Sequence, residues 1–111
     1  MRRDDLWLAD IVDSAGAIEA YTAGLTLEAF LTSDMVRDAV LMRLVGIGEA
    51  CAAVSADVKE RHPEVPWQKV KDFRNLAVHA YFSVDWPVVW GLASRRVPEL
   101  AEQVARILDE E

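Results

Sequence analysis

From Leu8 to Ile107 the apolar residues of this chain return every three or four positions, with almost no alternation of the strand type. That spacing places them along one side of an α-helix, whereas a half-buried strand needs a period of two. The fold class that follows is all-α. The punctuation divides it. A first helix is predicted from about Asp4 to Leu25, with Asp4 and Asp5 in its first turn and a stripe of Leu8, Ile11, Val12, Ala15 and Ile18. Gly24 stands where a C-terminal cap is expected. The segment TLEAFL connects it to a second helix from about Asp34 to Val54, capped by Thr32 or Ser33. Gly46 and Gly48 weaken that helix intrinsically, so their use is close approach of another backbone.

Ser55 caps a short third helix, SADVKERH, which Pro63 ends. Pro66 opens a fourth helix expected to run to Tyr81. Ser83 and Asp85 mark a break. The last helix runs from about Trp86 to Leu108, and Pro98 should kink or split it. The expected architecture is an antiparallel four-helix bundle with an additional short helix, one domain over residues 1–111.

Composition narrows the setting. About half of the 111 residues are apolar, enough for a core. MRRDDLWLAD lacks the apolar stretch of a signal peptide, and no apolar run is long enough to span a bilayer. A single cysteine, Cys51, gives neither an internal disulfide nor a metal cluster; it reads as an inert core thiol. The expectation is a cytoplasmic protein with no cofactor, no metal and no membrane association. The net charge of −7 argues against a general nucleic-acid coat. Yet Lys59, Arg61, Lys69, Lys71 and Arg74 lie close in sequence, and Arg95 and Arg96 follow. Two readings stand open: a solvated face, or a local basic site on an acidic body.

One stretch breaks the apolar rule. FRNLAVHAYF places Arg74, Asn75, His79 and Tyr81 inside a frame of Phe73, Leu76, Ala77, Val78 and Phe82. The residues alone allow an architectural role, with the polar groups satisfying backbone carbonyls. They equally spell R-x4-H-x-Y. Around it stand MRRDDLWLADI, GLTLEAFL, RDAVLMRLVGIGEA, HPEVPW and VDWPVVW with the later VPEL. In this order the segments resemble the HepT-like branch of HEPN-domain proteins over most of the chain. The chain departs from the family's usual pattern at Ala80, where Gly is frequent, and at Leu76–Ala77, where a charged or polar residue is common.

The resemblance implies a HEPN-like helical fold and a metal-independent endoribonuclease acting as the toxin of a toxin–antitoxin pair. It implies RNA as substrate and a minimal, MntA-like nucleotidyltransferase antitoxin as partner. That antitoxin silences the nuclease by attaching AMP to the motif tyrosine, here Tyr81. It further implies a homodimer whose two motifs face a shared cleft.

The residue chemistry suits such a reaction. Cleavage without metal needs a base for the 2′-OH, stabilisation of the phosphorane, and an acid for the leaving oxygen. His79, with an ordinary pKa of ~6.5, can carry either proton near neutrality. Arg74 stays charged and grips phosphate oxygens with its planar fork. Tyr81 can orient the phosphate or His79, and Asn75 can fix the His79 tautomer or hold backbone. Around a straight α-helix, however, Arg74 and His79 lie about 140° apart, and His79 and Tyr81 nearly opposite. The three groups cooperate only if the helix ends near His79 or a second chain completes the site. A two-fold dimer would also supply a second His79.

The remaining candidates have plainer readings. His62, before Pro63, is a surface or capping residue. Arg37, Arg43 and Glu49 either reach the cleft or are solvated and paired within their helix. Trp7, Trp67, Trp86 and Trp90 are core or dimer-interface anchors. The alternative function is a non-catalytic, nucleotide- or tRNA-binding helical partner of a nucleotidyltransferase, which the acidic charge favours.

Overall fold

The computed structural model describes residues 2–76 and 84–110. Its helices are α1 (Arg2–Thr22), α2 (Leu27–Leu31), α3 (Asp34–Ala53), α4 (Ala56–Arg61), α5 (Trp67–Lys71), α6 (Trp86–Gly91) and α7 (Val97–Glu110). A 3-10 segment, Asp72–Asn75, extends α5, and a π-helical stretch, Leu92–Arg96, joins α6 to α7. The fold is all-α, as the periodicity requires. No helix among the described residues is long and apolar enough to cross a membrane.

Polar side chains set several of the helix starts. The Ser33 hydroxyl accepts from the Val36 amide, that of Ser55 from Val58, and the Asp85 carboxylate from Val88. Each satisfies a first-turn donor that the helix itself cannot. Gly24, at φ +75°, takes the left-handed turn just after α1, where a side chain would strain the backbone. TLEAFL, expected as a connection, instead forms α2, because Thr26 caps it by accepting from the Ala29 amide. Its Phe30 is fully buried and packs against the rings of Trp86 and Trp90.

The core is continuous. Leu8, Ile11, Ala15 and Ile18 of α1 meet Val40, Leu44, Ile47 and Cys51 of α3, and Val97, Leu100, Val104 and Ile107 of α7 complete it. Each such large side chain contributes roughly 1.5–3 kcal/mol on burial. Helix α1 lies along both α3 and α7, while α3 also carries α5 and the 3-10 segment. Trp67 is a core anchor, its indole donating to the His62 carbonyl at 2.9 Å; Trp7, Trp86 and Trp90 are partly buried and pack on the core.

One expectation changes and two are sharpened. The fourth helix does not run as an α-helix from Pro66 to Tyr81; α5 ends at Lys71 and the chain tightens to 3-10. The last helix is divided near Pro98: the π-helical stretch Leu92–Arg96 separates α6 from α7, which carries Pro98 in its first turn. Proline lacks an amide hydrogen and its ring crowds the carbonyl four residues back, here Ser94. The wide π turn over Leu92–Arg96 leaves room for its ring at the start of α7. His62 caps the C-terminus of α4 but is not a surface residue: it is buried.

Asp4 has a larger role than a first-turn acid. It is buried; its Oδ1 accepts from the Ser55 amide at 2.9 Å and its Oδ2 from the Ser55 hydroxyl at 2.8 Å. One carboxylate thus ties the start of α1 to the start of α4. Burial alone would raise its pKa, but the two Ser55 hydrogen bonds outweigh it and hold the carboxyl below its ordinary 3.8. A depressed folded pKa gives stability that is present above the unfolded value and lost as pH falls through the folded one. Asp4→Ala is therefore expected to cost about 1–3 kcal/mol in urea unfolding at pH 7. It should also flatten the loss of stability that the wild type shows below about pH 3.8. An unchanged acid profile would refute this role.

Candidate active site

The described part of the motif begins with a close backbone contact. A Cβ on Gly48 would lie 2.5 Å from the Arg74 amide nitrogen, 3.1 Å from the Lys71 carbonyl oxygen and 3.1 Å from the Phe73 carbonyl carbon. Any side chain there would push the 71–74 backbone off α3. Phe73 is buried at this seat, Arg74 is half-buried and Asn75 exposed. The 3-10 geometry belongs to this contact: the Leu76 amide bonds the Phe73 carbonyl three residues back, and the narrower turn lies against the bare face of Gly48. Gly46 has no such role. It is exposed, and nothing would meet its Cβ within 4 Å.

This geometry corrects the angular argument. From Asp72 the chain turns by about 120° per residue rather than about 100°. Arg74 therefore does not sit on a straight α-helix. His79 and Tyr81 lie outside the described residues. The structure places Arg74 and Asn75 together on the 3-10 segment.

The chain re-enters the described structure at Val84. Two residues on, Trp86 lies under the guanidinium of Arg37, which stands 5.0 Å from the ring centroid and pairs with Asp34. Cation–π stacking and the intrahelical pair account for most of what holds this half-buried arginine. Its Nε is buried and has no hydrogen-bond partner among the described residues. Arg37 precedes Gly48 by eleven positions on α3, about 16 Å along the axis. Of the described flanks of the motif, Arg74 thus lies beside Gly48 and Trp86 beside Arg37, at separate places along α3. The sequence offered Arg37 only as one alternative; its relation to the motif's return end comes from tertiary packing. Arg43 instead reaches the Tyr21 hydroxyl at 3.3 Å, and Glu49 is exposed.

Two further groups border the site without entering it. Burial raises the Cys51 thiol to about 11, against the opposing pull of Lys59 and Lys71, and the thiol donates to the Trp67 carbonyl at 3.3 Å. It is an inert core thiol. His62 Nδ1 lies 3.4 Å from Glu64, and its Nε2 is buried with no partner among the described residues.

Similar proteins place this arrangement. A family model described as "Ribonuclease HepT-like" matches residues 11–107. The "Probable ribonuclease HepT" of Thermococcus cleftensis is 36% identical over 94 residues, covering 85% of this chain and 86% of that protein. A "Putative RNase" of Methanocaldococcus jannaschii is 33% identical over 98 residues, covering 88% and 90%. A second protein of that organism, "Gamma-glutamylcyclotransferase and putative RNase", is 32% identical over 111 residues. The match takes in 99% of this chain but 50% of that protein, so the chain spans about half its length. No solved structure matches the chain. With a family model covering most of its length and relatives alike at this level, the chain belongs to the ribonuclease HepT-like family.

Proposed function

We propose that this protein is a metal-independent endoribonuclease, the toxin of a toxin–antitoxin pair. The observation that carries the reading is the Gly48 seat, which holds the backbone of Arg74 directly on α3 at the head of an intact R-x4-H-x-Y motif. A rigid mount for the phosphate-gripping residue suits chemistry that depends on positioning.

The proposed reaction has a balanced course. The 2′-oxygen attacks phosphorus as its proton passes to a neutral His79, and Arg74 stabilises the charge gathering on the phosphorane. The P–O5′ bond breaks and the departing 5′-oxygen takes a proton from a protonated imidazole. In a homodimer, the His79 of the second copy fills one of these two roles. Asn75 supports the histidine's tautomer, and Tyr81 orients the phosphate. The products are a 2′,3′-cyclic phosphate and a 5′-hydroxyl. A nucleotidyltransferase antitoxin would silence the enzyme by transferring AMP from ATP to the Tyr81 hydroxyl, releasing pyrophosphate. The added phosphate brings negative charge beside Arg74 and competes with RNA for it.

The test is end-labelled RNA with the purified chain in excess EDTA. Fragments ending in 2′,3′-cyclic phosphate are the expected result. Fragments with 3′-hydroxyl ends, or cleavage only with added metal, would refute the mechanism. Intact RNA with retained nucleotidyltransferase binding would favour the non-catalytic partner instead.

A further inference from the structure

We infer that the groove between α5 and the π-helical stretch binds single-stranded RNA beside the cleavage site, with Lys69 and Arg96 holding its phosphates. The inference rests on the ribonuclease reading but concerns a site outside the motif. Lys69 from α5 and Arg96 from the π turn are about 27 positions apart in sequence and line the same cleft. Its floor is apolar, built from Val70, Phe73 and Leu92. Arg96 also borders an open shelf that continues past Arg95 to Val88, which is 53% exposed.

Three observations favour this ligand. The first is charge. The chain has 19 acidic and 12 basic residues, so cations could readily find carboxylates. Arg37 and Arg61 do so. Lys69, Arg95 and Arg96 are exposed, and none forms an ion pair among the described residues. Lys69 and Arg96 in the groove, with Arg95 on the adjoining shelf, face the single carboxylate of Glu99 and leave a local excess of positive charge on an acidic body. The second is size. The cleft holds about 170 Å³, below the roughly 300–1,000 Å³ of sites that enclose a whole small molecule. It suits one planar base of a longer strand whose other contacts lie outside, with an apolar floor for the ring and cations at the rim for the backbone. The third is position. Phe73, part of the floor, directly precedes Arg74, so the groove and the head of the motif share the 3-10 segment. The π turn contributes as well, since such turns frequently mark functional sites, and here it carries both arginines to the exposed side.

Glu99 also lines the groove and opposes an anion. That gives the test a sign. Binding of a fluorescent 2′-O-methyl oligoribonucleotide, which cannot be cleaved, is followed by anisotropy over a range of salt concentrations. Lys69→Gln and Arg96→Gln are each expected to weaken binding about three- to tenfold. Each should also reduce the slope of log affinity against log salt by about 0.7. Glu99→Gln is expected to tighten binding. All three side chains are exposed, and circular dichroism checks that the variants fold. Unchanged affinity and slope in the lysine and arginine variants, or no binding by the wild type, would overturn the inference. Because the probe is inert to cleavage, RNA binding lost in these variants supports the groove even if the chain cuts no RNA. Cleavage by the wild type with unaltered binding in the variants removes the groove and leaves the nuclease standing.

Discussion

Gly48→Ala is expected to be among the most damaging single-methyl substitutions in this protein. The new Cβ would sit 2.5 Å from the Arg74 nitrogen, and the atoms it meets are backbone, which cannot rotate away as a flexible side chain can. Forcing a methyl into a packed contact costs about 1–3 kcal/mol. Relief comes from displacing the 71–74 backbone, and with it Arg74. Misplacement of a catalytic group by about 1 Å can cost on the order of 100-fold in rate. The expected outcome is therefore a loss in urea-unfolding stability together with a fall in RNA cleavage of about that size. Gly46→Ala is the control. Two residues away on the same helix, with open space around its Cβ, it should gain about 0.5–1 kcal/mol and leave cleavage intact. Should both alanine variants behave alike, the seat has no part in placing the motif.

The second large effect concerns the motif itself. His79→Ala removes the proposed proton carrier, and positioned acid–base groups contribute about 10²–10⁴-fold. Arg74→Ala removes the proposed phosphate grip; loss of one such charge-stabilising donor costs about 10²–10³-fold. Arg74→Lys should recover only part of this, because an ammonium keeps the charge but not the planar fork. Full activity in Arg74→Lys would show that charge alone suffices. Single-turnover rates on one RNA, with stability measured alongside, separate these chemical losses from unfolding.

The pattern of hits and misses has a physical cause. The caps at Ser33, Ser55 and Asp85 were legible because a short polar side chain bonding a first-turn amide is a local event. The stripe of α1 is legible because burial follows helical period. What failed was decided at a distance. Gly46 and Gly48 look equivalent in sequence, and only the arrival of the 71–74 backbone distinguishes them. The same contact accompanies the change from α to 3-10 at Asp72, which no local signal announced. Asp4 reads as a first-turn acid until Ser55, fifty-one residues on, is found bonded to both of its oxygens. His62 reads as a surface or capping residue beside Pro63; it is the cap of α4, and its burial and the Trp67 indole on its carbonyl come from tertiary packing. For the site, Arg74 and His79 came from the motif and the resemblance. The mount beneath Arg74 and the place of Arg37 beside Trp86 came from tertiary packing.

The central claim is that this chain itself cuts RNA without metal, using Arg74 and His79. The most direct measurement compares wild type, Arg74→Ala and His79→Ala on one labelled RNA in EDTA, with all three shown to be folded. The account predicts 2′,3′-cyclic phosphate fragments from the wild type and a loss of at least about 100-fold in each variant. Equal cleavage by the wild type and His79→Ala would contradict it.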